Sequence, residues 1–169
     1  MRLSEFIEGN QRSLKELEFT DTQFDLNSGE EKDFYNSLSL PNLHSVALHN
    51  CKFVCYDSFE RFFGNLADSE HSLKRVEINR LNCAVTAKGF REFLQSQENS
   101  LQTLILNGVH KNILSRKHHK KVLPAIAKLP FLKHLTLQKN QLDHERLLAF
   151  TMHVASEESF QELVTLDLS

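Results

Sequence analysis

Residues 132–142 read Leu132-Lys133-His134-Leu135-Thr136-Leu137-Gln138-Lys139-Asn140-Gln141-Leu142, a frame of the form L-x-x-L-x-L-x-x-N-x-L filled at every defined place. The same apolar frame fits Leu14, Leu17, Phe19 and Phe24, then Leu43, Val46, Leu48, Cys51 and Phe53, then Leu73, Val76, Ile78, Leu81 and Cys83. Two further copies follow at Leu101, Leu104, Leu106 and Val109 and at Leu163, Leu166 and Leu168. The first apolar positions, 14, 43, 73, 101, 132 and 163, are separated by steps of 29, 30, 28, 31 and 31 residues.

Periods of roughly 20 to 24 residues leave no room for a full helix, so these longer steps predict a strand and an α-helix in each unit. One short strand with one adjoining helix cannot bury its own leucines. Stacked units bury them against one another and pair the strands into a parallel sheet. Helices take more room than strands and bend the stack. The expected fold is therefore α/β, with a curved parallel sheet on the concave side and helices on the convex side.

In this frame the chain resembles the ribonuclease-inhibitor-like subclass of leucine-rich-repeat proteins, over essentially its whole length. Thr22, Leu81 and Val109 stand where that family usually has Asn or Cys, whereas Cys51 and Asn140 fit the position. The resemblance implies a leucine-rich-repeat solenoid formed as one domain over residues 1–169, with the Cys51 and Asn140 side chains hydrogen-bonding exposed backbone in the bends. The last copy supplies a strand with no bend or helix after it, so a piece of a longer repeat array is expected. The irregular steps, and a basic loop followed by a proline-containing helix, are similar to CARMIL-type actin-regulatory linkers, which would imply a cytoskeletal scaffold. Cytoplasmic innate-immune receptors and bacterial effectors built on such repeats are alternatives.

Spacing places the remaining elements. Leu3, Phe6 and Ile7 predict an apolar helical face over residues 2–10, and strands are expected at 16–20, 45–49 and 75–79. A helix capped by Asp57 or Ser58 should turn Phe59, Phe62, Phe63 and Leu66 inward. Another should start at Thr86 and bury Phe90, Phe93 and Leu94. Pro124 is tolerated only in a first helical turn, so that helix should begin near Val122 and leave the preceding basic run as an exposed loop. A last helix over 143–155, capped by Asp143, has Leu147, Leu148, Phe150 and Met152 available for its inner side.

The 169 residues are 40% hydrophobic and 25% charged, ample for a continuous core and too apolar for disorder. No apolar run approaches the roughly 18 residues that a membrane-spanning helix needs, and no secretion signal is recognisable. Cys51, Cys55 and Cys83 neither pair evenly nor form a zinc-binding C-x-x-C pattern, which predicts reduced thiols and a cytoplasmic or nuclear setting. The net charge of −2 hides an asymmetry, with 6 Lys/Arg against 13 Asp/Glu up to Ser72 and 14 against 9 after it. In a stack, that becomes a gradient along the long axis able to steer a partner of matching polarity.

No catalytic signature is present: there is no G-x-S-x-G, P-loop, H-E-x-x-H or glycine-rich dinucleotide turn, and the 5 glycines are scattered. A non-enzymatic protein without cofactor or metal is expected. Alternate strand residues must face away from the leucines, which nominates Glu16, Glu18, His49, Arg75, Glu77, Asn79, Asn107, His134 and Gln138 as a protein-binding surface. The second candidate is the basic run with Lys111, Arg116, Lys117, His118, His119, Lys120 and Lys121, suited to an anionic lipid headgroup, a phosphate or an acidic protein segment. No aromatic residue interleaves it, which disfavours nucleic acid.

Overall fold

Alternation of apolar and polar residues gives each strand one face to bury, and the helices that follow supply the material that buries it. The computed structural model describes residues 3–25, 29–68, 72–83, 87–109, 111–156 and 160–169. In chain order these form α1 (Leu3–Gly9), β1 (Glu16–Thr20), β2 (Gln23–Phe24), α2 (Gly29–Ser37), β3 (Ser45–His49), β4 (Lys52–Phe53), α3 (Tyr56–Asp68) and β5 (Arg75–Asn79). They continue with α4 (Ala87–Ser96), β6 (Thr103–Asn107), α5 (His119–Ala127), β7 (His134–Thr136), α6 (His144–Ser156) and β8 (Thr165–Asp167).

Six strands form one sheet in the order β1-β3-β5-β6-β7-β8, with every neighbouring pair parallel. Sheet order is therefore chain order, and β2 and β4 pair separately as a short second sheet. The register aligns Leu17, Val46, Val76, Leu104, Leu135 and Leu166 in one row, and Phe19, Leu48, Ile78 and Leu106 in another. All are buried except Leu166, which is 46% exposed on β8.

The residue that follows each of β1, β3, β5 and β6 lies in the left-handed region, Asp21 (φ 52°), Asn50 (52°), Arg80 (58°) and Gly108 (65°), as does Lys139 (57°), three residues past β7. Their N–H groups donate to the carbonyls of His49, Asn79, Asn107, Gln138 and Ser169 at 2.9, 2.7, 2.9, 3.0 and 2.8 Å. The step off the sheet thus repeats with the same geometry in successive units. Just beyond it, Asn140 is 1% exposed; its Oδ1 accepts the Val109 N–H at 2.8 Å and its Nδ2 donates to the Leu106 carbonyl. Cys51 Sγ lies 3.3 Å from the Phe19 carbonyl and donates to it. Leu81 and Val109 occupy the same place with buried apolar side chains.

Helix residues complete the core. Phe59, Phe62, Phe63 and Leu66 of α3, and Phe90, Phe93 and Leu94 of α4, are fully buried and belong to one cluster with the inward strand residues. The Phe62 ring has five aromatic neighbours, Phe19, Phe24, Phe34, Phe53 and Phe63, with centroids 5.2 to 6.5 Å away. Edge-to-face and tilted arrangements dominate, as the ring quadrupole favours.

Four local expectations are corrected. Helix α3 begins at Tyr56, so Asp57 and Ser58 lie inside its first turn, where Cys55 Sγ and Ser58 Oγ are 3.2 Å apart. In α1 the buried residues are Ser4 and Ile7, while Leu3 and Phe6 are 50% and 41% exposed. Helix α5 begins at His119, placing Pro124 within it. The turns from Val109 onward, joined by bonds such as Leu114 N–H to Val109 O and His119 N–H to Ser115 O, wind directly into the helix and remove the expected loop. In α6, Phe150 and Arg146 turn inward while Leu148 and Met152 are 49% and 65% exposed. Leu148 and Met152 are four residues apart and share a helix side different from that of Arg146 and Phe150. Asp143 does cap α6, accepting the Arg146 N–H at 3.0 Å. Thr86 lies outside the described residues.

Two substitutions test this packing. Phe62→Ala should destabilise the protein by about 4 kcal/mol in urea unfolding, with Phe62→Leu costing less than half as much. Asn140→Ala should cost about 3 kcal/mol, because it leaves the buried Val109 N–H and Leu106 carbonyl without their partner.

Candidate functional site

Strand alternation determines what the uncovered sheet face offers. Glu16, Glu18, His49, Arg75, Glu77, Asn79, Asn107 and His134 all sit at outward positions of their strands, and Gln138 follows β7 at the same phase. The parallel register converts them into rows. One runs Glu16, Ser45, Arg75, Thr103, His134, Thr165; the next runs Glu18, Ala47, Glu77, Ile105, Thr136, Asp167. A third row, Thr20, His49, Asn79 and Asn107, lies at the C-terminal ends of the strands.

Side-chain hydrogen bonds tie these rows together. Asn79 Nδ2 donates to Glu77 Oε1 at 2.6 Å and lies 3.0 Å from His49 Nδ1. An amide nitrogen is a donor only, so His49 Nδ1 is the acceptor and the ring proton sits on Nε2, 3.8 Å from Glu18 Oε1. Glu77 also pairs with Arg75. Farther along, Asn107 Oδ1 accepts the Gln138 N–H at 3.0 Å, and Gln138 Nε2 donates to Asp167 Oδ2 at 2.6 Å. His134 Nδ1 is 3.2 Å from Thr165 Oγ1. The Asp167 carboxyl is held below the usual carboxylate range chiefly by the Ser169 N–H, with Gln138 adding to the effect.

A cleft opens at the C-terminal end of this face. It has a volume of about 360 Å³ and is lined by Asn79, Arg80, Asn107, Gly108, Gln138 and Lys139. Three consecutive strand-end residues form its floor, and the left-handed residues after them form its rim. Sequence alternation finds the floor; the cleft itself depends on the conformation of the step.

The basic run is dispersed by its own folding. Lys111, Arg116, Lys117, Lys120 and Lys121 are exposed, but His119 is 3% exposed and His118 is half-buried with Nδ1 3.2 Å from both Ser115 Oγ and the Asn112 carbonyl. Lys120 Nζ is 3.6 Å from Glu145 Oε1. The Asp143 carboxyl is held down first by the Arg146 N–H and then by the charges of Arg146, Arg116 and His119. Acidic groups at the start of α6 thus offset part of the run's charge.

Among the described residues no group of three or more His, Cys, Asp or Glu side chains is arranged to hold a metal ion. Burial pushes the Cys83 thiol up to about 12, and Cys51 is raised for the same reason, so neither is a thiolate at neutral pH. Among the described residues, no helix is long and apolar enough to cross a membrane. Compared with known proteins, the chain matches no family model and no curated protein.

The lowered Asp143 carboxyl makes a linkage prediction. Its folded-state value lies below its unfolded one, so its contribution is present above the unfolded value and is lost as pH falls through the folded value. Asp143→Asn should flatten the acid limb of a melting-temperature profile, and Arg116→Ser should move the Asp143 carboxyl ¹³C titration upward.

Proposed function

We propose that the chain is a leucine-rich-repeat solenoid of the ribonuclease-inhibitor-like kind, acting as a non-enzymatic scaffold that binds another protein on its open sheet face. Support for the repeat reading comes from the recurrent apolar frame, the strands paired in chain order and the left-handed step that recurs after successive strands. The observation that carries the binding reading is the open face itself. It presents three registered rows of polar side chains, fixed in place by bonds between Glu18, His49, Asn79, Glu77 and Arg75 and between Asn107, Gln138 and Asp167. Side chains already held in one conformation lose little entropy on binding and favour a partner with matching polar groups. Action in the cytoplasm belongs to the same proposal and rests on the three free cysteines.

The alternative, an adaptor for anionic membranes or phosphates working through residues 111–121, is less well supported. A headgroup site needs converging cations, whereas Lys120 faces Glu145, Arg116 acts on Asp143 and His119 is buried.

Two variants separate these readings. Arg75→Glu with His134→Glu reverses or adds charge on the open face without touching the core. It should lower recovery of a bound protein from lysate by about tenfold or more. Replacing Arg116, Lys117, Lys120 and Lys121 by Ser should leave that recovery unchanged. Retention by the first variant and loss by the second, together with salt-sensitive binding of the native chain to anionic liposomes, would transfer the function to the basic run.

A further inference from the structure

His49 closes β3 at its C-terminal end, in register with Thr20 of β1 on one side and Asn79 of β5 on the other. Its ring is partly exposed, so solvent protons reach it, and its two nitrogens face different strands. Nδ1 lies 3.0 Å from Asn79 Nδ2, and Nε2 lies 3.8 Å from Glu18 Oε1. Histidine is the side chain that gains charge between about pH 8 and pH 5. What its neighbours tolerate in each form therefore decides how this face answers acid.

Asn79 accommodates only the ring with a lone pair on Nδ1. Its amide donates to Glu77 Oε1 at 2.6 Å, and a carboxylate only accepts, so the end of the amide shared by Glu77 and His49 is nitrogen. A proton on Nδ1 sets two donors against each other at 3.0 Å. Turning the amide over gives no relief. It would bring Asn79 Oδ1 against the Glu77 carboxylate and put Nδ2 where Oδ1 now lies buried, a place with no partner among the described residues. Glu77 is itself held by Arg75. The charged ring must therefore give up Asn79. Glu18 is exposed, and its carboxylate can close the remaining distance to Nε2. The other charged groups on the flanking strand segments are Glu16 and Asp21 beside β3 on one side, and Arg75, Glu77 and Arg80 on the other. Asp21 already accepts from Asn50 Nδ2 at 2.6 Å, which leaves Glu18 as the carboxylate aimed at the ring.

Resting on the open-face reading, we propose that His49 is a proton-operated latch in that face. Neutral, it joins β3 to β5 through Asn79 and Glu77. Protonated, it releases Asn79 and pairs with Glu18 of β1. The strand-end row then loses a fixed amide and gains a positive charge, so a partner matched to the closed arrangement is held less tightly in acid.

The latch is tested first on the whole chain alone, by ¹⁵N and ¹³C spectra between about pH 8 and pH 5. At the alkaline end His49 should show the Nε2–H tautomer. On acidification the Asn79 side-chain amide should shift with the same midpoint as the His49 ring. His49→Gln should abolish that step and leave the melting temperature within a few degrees. Glu18→Gln, which serves where His49→Gln does not fold, removes the acceptor of the charged ring and should move the step down by about half a pH unit. An Nδ1–H tautomer at the alkaline end, an Asn79 amide indifferent to the His49 titration, or a step that survives His49→Gln would overturn the proposal. In capture, recovery of the partner that Arg75→Glu with His134→Glu loses should fall about tenfold from about pH 7.5 to about pH 5.5, and His49→Gln should remove that dependence. Equal recovery at both pH values would overturn the latch as a control of binding and leave the open-face reading standing.

Discussion

The structure depends on a backbone step that L-residues ordinarily avoid. Each of the first four strands of the main sheet, and the segment through Gln138 that follows the fifth, hands the chain to a residue with φ between 50° and 65°. A left-handed conformation costs roughly 1–2 kcal/mol for most residues with a Cβ and less for Asp and Asn, so the steps at Arg80 and Lys139 are the strained ones in isolation. They persist because each N–H is bonded to the adjacent strand segment, which makes the step part of the sheet ladder. With five strand segments left in the same way, neighbouring helices come to lie beside one another, α3 on α4, α4 on α5 and α5 on α6. The leucine rows then have a common cover.

That cover changes character along the chain. Through β1 to α4 the filler is aromatic: Phe19, Phe24, Phe34, Phe53, Phe59, Phe62, Phe63, Phe90 and Phe93 form a continuous set of ring contacts. From β6 through α5 it is aliphatic, with Leu104, Leu106, Val122, Leu123, Ile126 and Leu129 buried and smaller, before Phe150 of α6 returns an aromatic ring to the core. Asn140, with its two backbone partners, sits in this aliphatic half, while the aromatic half has Cys51 and Leu81 at the corresponding place. Each half has one hydrogen-bonding and one apolar residue at these equivalent positions, Cys51 with Leu81 and Asn140 with Val109, so either kind of side chain is accommodated there.

What the chain discloses by reading follows from which forces are periodic. The bounds of β1, β3 and β5 were legible because alternation of two fixes both their length and their buried face. Helix faces were legible where a single stripe carried bulky aromatics, as in α3 and α4. They were not legible in α6, where Leu148 and Met152 share one side and Arg146 with Phe150 another, and packing on α5 decides between them. The start of α5 was missed because proline restricts only its own turn, while the bonds that begin the helix run from Ser115 and His118. At the site, the outward residues were legible but their connections were not. The Glu18, His49, Asn79 and Glu77 chain requires cross-strand register, which local spacing does not contain. One signal could have been found: aligning the residues after each strand isolates Gly108 among Asp21, Asn50, Arg80 and Lys139.

The open face offers no exposed aromatic anchor, so area burial alone does not select a partner for it. Selection must come from polar groups, and polar groups discriminate only when they are held in place and would be left unsatisfied by the wrong occupant. Both conditions hold along the row at the strand ends. Asn79 is held by two side chains, and Asn107 and Gln138 are joined through backbone, so none can rotate to suit an arbitrary ligand without breaking a bond. The row's own carboxylate neighbours, Glu77 and Asp167, are engaged within the sheet. The charge asymmetry of the whole chain adds a longer-range term, because the part that follows Ser72 is cationic. An approaching acidic segment is attracted toward that part before any specific bond forms, and the strand-end row then determines whether it stays.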